Sequence, residues 1–304
     1  MAFTAFSSAP TAAAEPIARR KSPVALFLLL PGIFYLILFF VTPLISLVIT
    51  SLQAPDPLIF GQFVNAFNWQ NYVTVIETYG EQAVRSAGYA ALATFFALLI
   101  GFPLAYFIGI TLRPFPLLQS LALVLVIAPF FISFLLRTLA WKQIFSTEGP
   151  VSGILSSIGF LGPGEAITGT TFSVVFGLTY NFIPFMTLPI YATLVSLDLR
   201  LLEAGNDLYG GPATTFRTVT LPLSAAGVMS GTLLTFIPAA GDYINASREF
   251  LGSADTTMIG NVIETNFLVL QNFPAAAALS LVLMAFILVL VAVYVKRSGT
   301  EELL

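Results

Sequence analysis

The groups in this chain best placed to do chemistry are carboxylates, because two usual instruments are missing. The sequence has no histidine and no cysteine, which removes imidazole as general base or metal ligand and thiolate as nucleophile, redox partner or zinc ligand. Ser-His-Asp catalysis has no base here, and no catalytic or metal-binding set is expected. Lys21, Lys142 and Lys296 follow Arg20, Trp141 and Val295. The Gly-Lys step of a phosphate-cradling loop is therefore absent, and this chain cannot hydrolyse ATP by that route alone. Two carboxylate settings remain. Glu203 and Asp207 stand four residues apart, a like-charge pair on one helix face that is mildly unfavourable in isolation and suits a basic group on a partner. Asp242 follows Pro238-Ala239-Ala240-Gly241 at the end of a long uncharged stretch, where an ionisable group marks a functional candidate.

Around Asp242 the sequence offers Tyr243, Tyr180, Asn181, Trp141 and Glu249. Carboxylates with aromatic faces suit a cationic solute through ion pairing and cation–π contact. Other readings stand beside this one. Asp242 can pair with Arg248 inside its loop, Trp141 and the tyrosines can belong to an interfacial belt, and Glu249, Asp255 and Glu264 can be solvated surface or an entry funnel. Arg137 can snorkel to headgroups or pair with an acid from another span.

The elements that must position these groups follow from composition. Hydrophobic residues make up 57% of the 304 and charged residues 9%, against roughly a quarter charged in soluble proteins, so the chain is a polytopic membrane protein. A bilayer core of about 30 Å takes about 20 apolar residues per helix. Uncharged stretches of that length run Val24–Thr50, Ser86–Ile110, Pro114–Leu136, Ala166–Leu197, Thr218–Gly241 and Thr265–Val295; within the fourth and sixth, helices are expected near 171–195 and 274–295. The fold class is thus all-α with six transmembrane helices, organised as a tail over 1–23, a membrane domain over 24–295 and a tail over 296–304. Arg19, Arg20, Lys21, Arg113, Arg200, Arg217, Lys296 and Arg297 fall on one side, which the positive-inside bias makes cytoplasmic together with both termini. Residues 1–18, rich in Ala, Ser, Thr and Pro, are expected to be disordered. The first apolar run is too long for a cleaved signal. The outer 1–2 loop has room for a short interfacial helix, and Gly149-Pro150 and Gly162-Pro163-Gly164 are turn signals. Prolines 31, 43, 103, 129, 184, 189, 222, 238 and 274 lie in or at the ends of the spans. They either kink helices that move or line a cavity, or reflect the general frequency of Pro in membrane helices.

The loop between spans four and five reads LDLRLLEAGNDLYGGPATTFRTVTLPL. Leu197, Leu201, Ala204 and Leu208 make one apolar stripe of a short helix, with Asp198, Arg200, Glu203, Asn206 and Asp207 on the remainder. Gly210-Gly211-Pro212 ends it, and an elbow around Thr214–Val219 leads to Pro222. A helix lying among headgroups usually carries Lys and Arg on its polar face. This face is acidic, which favours docking in a protein groove.

Here the chain resembles the permease subunits of binding-protein-dependent ABC importers. Their cytoplasmic motif runs Glu-Ala-Ala, then Gly, then Leu-Pro after a fixed gap. Glu203-Ala204-Gly205 and Leu221-Pro222 match it in register, with Leu208, Phe216 and Val219 at the apolar places. Gly205 replaces the second Ala, and Tyr209 replaces the usual Gly, with Gly210 and Gly211 directly after it. Across nearly its full length the chain is similar to the spermidine/putrescine branch, through Pro129–Trp141, Tyr180–Tyr191 and Leu251–Phe267. The resemblance implies a type I ABC importer permease in a bacterial inner membrane, carrying a small solute such as a polyamine. It would pair with a second homologous permease, with two ATPase subunits that hold ATP and Mg, and with an extracytoplasmic binding protein. No cofactor on this chain and no nucleic-acid partner are implied. Leu201, Glu203, Ala204, Gly205, Asp207, Leu208, Tyr209 and Gly210 would form the coupling helix in an ATPase cleft, with Leu221 and Pro222 completing the motif.

Two other classes of membrane protein fit the sequence less well. An ion-coupled secondary transporter fits poorly, since no inverted repeats stand out and the carboxylates lie at span ends. An intramembrane protease needs histidine or two mid-span aspartates, and the chain has neither.

Overall fold

The computed structural model describes residues 23–297 apart from 60, 163 and 210. The expectations placed on Arg19, Arg20, Lys21, Pro163, Gly210, the tails at 1–22 and 298–304, and the side chain of Tyr209 lie outside the described residues. The chain divides into two units, one ending at Ser46 and one beginning at Leu47.

In the first unit, helix α1 (23–51, continuing into the second unit) carries Pro31 without a break and passes through a π turn at Ile37–Val41. Pro43 lacks the donor that would continue the ladder. The Thr42 hydroxyl donates to Ile37 O at 3.1 Å beside that gap.

The second unit opens with a two-residue ribbon, β1 (Ala54–Pro55) against β2 (Phe63–Val64), antiparallel with Ala54 opposite Val64. This small sheet modifies the all-α expectation. The interfacial helix expected before span two is absent as a separate element, because α2 runs without interruption over Gln70–Thr111, 42 residues. At 1.5 Å per residue that is about 63 Å, twice the bilayer core. The expected start at Ser86 came from the charges on Glu77, Glu81 and Arg85. Those charges end the apolar stretch without ending the helix, and the Glu81–Arg85 ion pair at i,i+4 supports it.

The third and fifth stretches are not single rods. The chain turns by 93° between α3 (Pro116–Phe131) and the segment Phe134–Ser157, which holds α4 (Phe134–Phe145) and α5 (Pro150–Ser157). Pro129 lies in the last turn of α3, and Ile132 and Ser133 are extended. Past α6 (Thr171–Val195) and α7 (Leu199–Tyr209), a second bend of 64° separates α8 (Pro212–Leu223) from α9 (Ala225–Ala240). Helix α10 (Ile259–Glu264) and the last span, α11 (Phe273–Arg297), close the chain. Among the described residues, four helices are long and apolar enough to cross a membrane, and the two bent pairs add two more if each is one span.

Helix α6 is the axis of the second unit. Val174, Leu178, Met186, Ile190 and Leu194 are fully buried along it, as expected of a helix that is apolar all round. Its neighbours approach through small residues. Ala90, Ala93, Ala97 and Ala105 of α2 are fully buried, and Gly227 and Gly231 of α9 meet the α6 backbone near Ile190 and Met186. This is the close packing that membrane helices use.

Candidate functional site

Two regions gather the candidate residues, one at each end of α6. At its C-terminal end, α7 and α8 form a short hairpin. Gly205 turns toward α8 and Leu202 is half-buried. A Cβ on Gly205 would stand 2.8 Å from Thr215 Cγ2 and 3.1 Å from Val219 Cγ2, tighter than packed side chains sit. Glycine in place of Ala here fits this close packing, since a methyl group would force the Thr215 or Val219 side chain to shift. Of the apolar stripe read from the sequence, Leu197 packs against the cluster of Met186, Ile190 and Leu194, while Leu201, Ala204 and Leu208 point the other way. Leu201 is 48% exposed and Leu208 77% exposed, with Ala204, Glu203 and Asp207 exposed among them. Tyr209 is the last residue of α7. Leu221 and Pro222 sit exposed near the end of α8, before the 64° bend.

At the opposite end, residues 241–272 fold down onto their own chain. Asp242 lies two residues past the end of α9, outside the span, and is only 7% exposed. Its Oδ1 accepts from Asn245 N at 2.7 Å and its Oδ2 from Asn245 Nδ2 at 3.1 Å. Burial pushes the carboxyl up to about 6, while the hydrogen bonds from Asn245, Ala246 and Ile244 pull it down. Asn245 is fully buried, and its Oδ1 accepts from Asn181 Nδ2 at 3.2 Å and Thr138 Oγ1 at 3.4 Å. One polar network thus joins α4, α6 and the α9–α10 connection. Further ties surround it: Ser173 Oγ to Leu251 O, 2.8 Å; Ser253 Oγ to Gly169 O, 2.7 Å; Ile259 N to Ser86 Oγ, 2.7 Å; Lys142 Nζ to Glu249 O, 2.7 Å.

The candidates named from sequence are thereby sorted. Asn181 and Asp242 are joined through Asn245. Trp141 and Tyr180 meet as rings 5.2 Å apart and edge-on, with Phe176 4.6 Å from Trp141. Tyr243 is exposed, and its carbonyl accepts from Asn261 Nδ2. Glu249 is exposed, as is Arg248, and among the described residues no Asp242–Arg248 ion pair forms. Glu264 is part-buried and its carboxyl is raised, first by burial and then by the charge of Glu249. Among the described residues Arg137 forms no ion pair with an acid, and its Nε and Nη1 have no partner. It is 8% exposed, and its Cζ stands 5.5 Å over the Phe134 ring. Asn245 and Thr138 escaped the sequence reading because their contacts with Asn181 and with each other span 43 to 107 residues of sequence. The only local signal was the Asp-x-x-Asn spacing of Asp242 and Asn245, which suits an Asx-type turn.

No family model matches the chain. It is 33% identical over 265 residues to the spermidine/putrescine transport system permease protein PotB of Haemophilus influenzae, covering 87% of this chain and 90% of that protein. It is 32% identical to PotB of Escherichia coli, covering 87% and 94%. The inner membrane ABC transporter permease protein YdcU of Escherichia coli is 29% identical over 252 residues, 78% of this chain and 75% of that one. Among solved structures, a bacterial ABC transporter involved in the import of the acidic polysaccharide alginate matches with TM-score 0.63 and 18% identity, over 90% of this chain and 94% of that one. The alginate transporter in complex with its pentasaccharide-bound periplasmic protein matches with TM-score 0.61 and 17% identity, over 92% and 94%. At those identities the two structures speak for the fold alone.

Proposed function

The chain belongs to the PotB-type permease family of ABC importers, and on that premise we propose that it moves a polyamine such as spermidine or putrescine into a bacterial cell. It does so as one of two homologous six-span subunits in the inner membrane, with both termini and α7 on the cytoplasmic side. Each bent pair, α3 with α4 and α8 with α9, then serves as one span. Two ATPase subunits hold ATP and Mg, and a binding protein delivers solute to the opposite face.

One observation carries this reading. Leu201 and Leu208 are exposed on α7 beside Glu203 and Asp207, an apolar ridge with an acidic edge that the described residues leave uncovered. Burying one leucine on a partner stabilises by about 1.5–3 kcal/mol, and the two carboxylates suit basic groups on the cleft wall. ATP-driven closure of the ATPases then displaces α7 and shifts the permease between two states, to the extent that the ATPases bind those states with different affinity. On the solute side, the half-buried Trp141–Tyr180 ring pair and the exposed Tyr243 and Glu249 supply aromatic surface and negative charge, while the buried Asp242 and Asn181 hold the connection in shape.

Glu203→Lys in the co-expressed complex is expected to insert normally yet lose ATPase association and spermidine uptake. Normal substrate-stimulated ATP hydrolysis in that variant would contradict the assignment.

A further inference from the structure

If α7 is pushed, something must carry the push into the membrane, and the structure shows what holds the feet of its hairpin. Both rest on one stretch of chain, the inner end of α2 and the turn after it.

The first foot is the join between α6 and α7. A helix end leaves its last carbonyls without intrahelical partners. Here Arg113, in the turn after α2, donates from Nη2 to Val195 O at 3.0 Å and from Nη1 to Leu197 O at 2.8 Å. A cation at a helix C-terminus is also favoured by the helix dipole. Close approach is needed for this reach, and Gly109 provides it: a Cβ there would lie 3.2 Å from Leu194 Cβ. The second foot is Phe216 on α8, edge-on to Phe102 at 5.6 Å and to Tyr106 at 5.7 Å, both residues of α2. The same end of α2 contains a π turn at Phe107–Thr111, and Gln119 of α3 donates to Ile108 O at 3.0 Å. Helix α3 is thereby tied to the same point.

We propose that Arg113 is a positioning residue which transmits displacement of α7 to α2 and α3. Its fork spans two carbonyls two residues apart, a contact that a lysine ammonium, a compact point charge, cannot reproduce. Arg113 is more than one of the positive charges that orient the chain. The proposal rests on α7 being the coupling helix.

The test uses the assembled importer in proteoliposomes, with ATP hydrolysis and radiolabelled spermidine uptake measured together. Because the chain has no cysteine, Asn206→Cys on α7 and Leu117→Cys on α3, both exposed, allow a spin-label distance to be read in the same complex. Arg113→Ala is expected to keep its ATPase subunits, to spend about fivefold or more ATP per spermidine imported, and to broaden the 206–117 distance distribution. Arg113→Lys, which keeps the charge and therefore the topology, is expected to broaden it as well. Wild-type coupling and a narrow distribution in Arg113→Ala would overturn the proposal. So would an Arg113→Lys complex that behaves as wild type, or loss of ATPase association in Arg113→Ala, which would place the residue in docking. Failure of the underlying reading shows up separately, as a Glu203→Lys complex that couples normally while Arg113 is intact.

Discussion

The two long connections of this permease, 196–224 and 241–272, face opposite tasks and are built in opposite ways. The second is closed on its own chain. Leu251 and Met258 are fully buried, and Asn245 links Asp242 to Asn181 and Thr138. The first is left open. Only the Gly205 side of α7 is packed, while Leu201 and Leu208 face outward. A connection that satisfies its own polar groups needs no partner to hold its shape. On the proposed reading, one that exposes an apolar ridge on a helix with an unfavourable charge pair is completed by another protein.

The sharpest way to break this contrast is at Asn245. Asn245→Ala removes the side-chain donor to Asp242 Oδ2 and one acceptor shared by Asn181 and Thr138, leaving Asp242 Oδ2 without that donor while Asn181 keeps Thr138 and Thr138 keeps Phe134 O as partners. The isolated permease is expected to lose about 3 kcal/mol, read as a drop in its thermal unfolding midpoint. Retention of wild-type stability would show that the network does not hold the connection. Gly205→Val comes next, because its methyl groups would overlap Thr215 and Val219. Overpacking of this kind costs about 1–3 kcal/mol and is expected to separate α7 from α8 and reduce the yield of assembled complex. Leu208→Ser sharpens the other side of the contrast. In the isolated chain its effect stays within about 0.5 kcal/mol, while ATPase affinity, measured by titration of purified subunits, weakens about tenfold, or 1.4 kcal/mol. Loss of stability in the isolated chain would instead mean that Leu208 packs at home.

The smallest expected effect is a pH dependence. The folded-state carboxyl of Asp242 is raised from 3.8 to about 6, so its contribution to stability is fully present below about 3.8 and is lost as pH rises through 6. Between pH 5 and 7.5 the wild-type chain should lose about 1 kcal/mol relative to Asp242→Asn. A constant difference between the two would remove the carboxyl as its source.

What was legible in the sequence depended on range. Helix α6 lies at the bounds expected from the sequence, since nothing charged interrupts it; the structure adds that Thr170 caps it, its Oγ1 accepting from Ser173 N at 3.2 Å. The stripe of α7 was visible for the same reason, since helical spacing is local. Its direction was not, because that depends on Gly205 meeting Thr215 and Val219 of another helix. The start of α2 was missed where Glu77, Glu81 and Arg85 ended the apolar stretch but not the helix. The bends at 132–133 and 224 had Pro129 and Pro222 nearby, yet Pro184 and Pro189 sit inside an unbroken α6, so a proline alone does not tell a kink from a rod. Asn245 and Arg113 act across more than sixty residues of sequence, beyond the reach of spacing. Arg113 was legible as a positive charge on one side of the membrane, and its two carbonyl partners were not.

The most direct test of the account is a single cysteine at Leu208 in the otherwise cysteine-free chain. Labelling with a membrane-impermeant maleimide is followed in inside-out vesicles, with and without the ATPase subunits, alongside crosslinking to them. The account predicts free labelling of the permease alone, protection in the assembled complex, and a crosslink from position 208 to the ATPase. Equal labelling in both states, with the ATPase bound and crosslinked elsewhere, would contradict it.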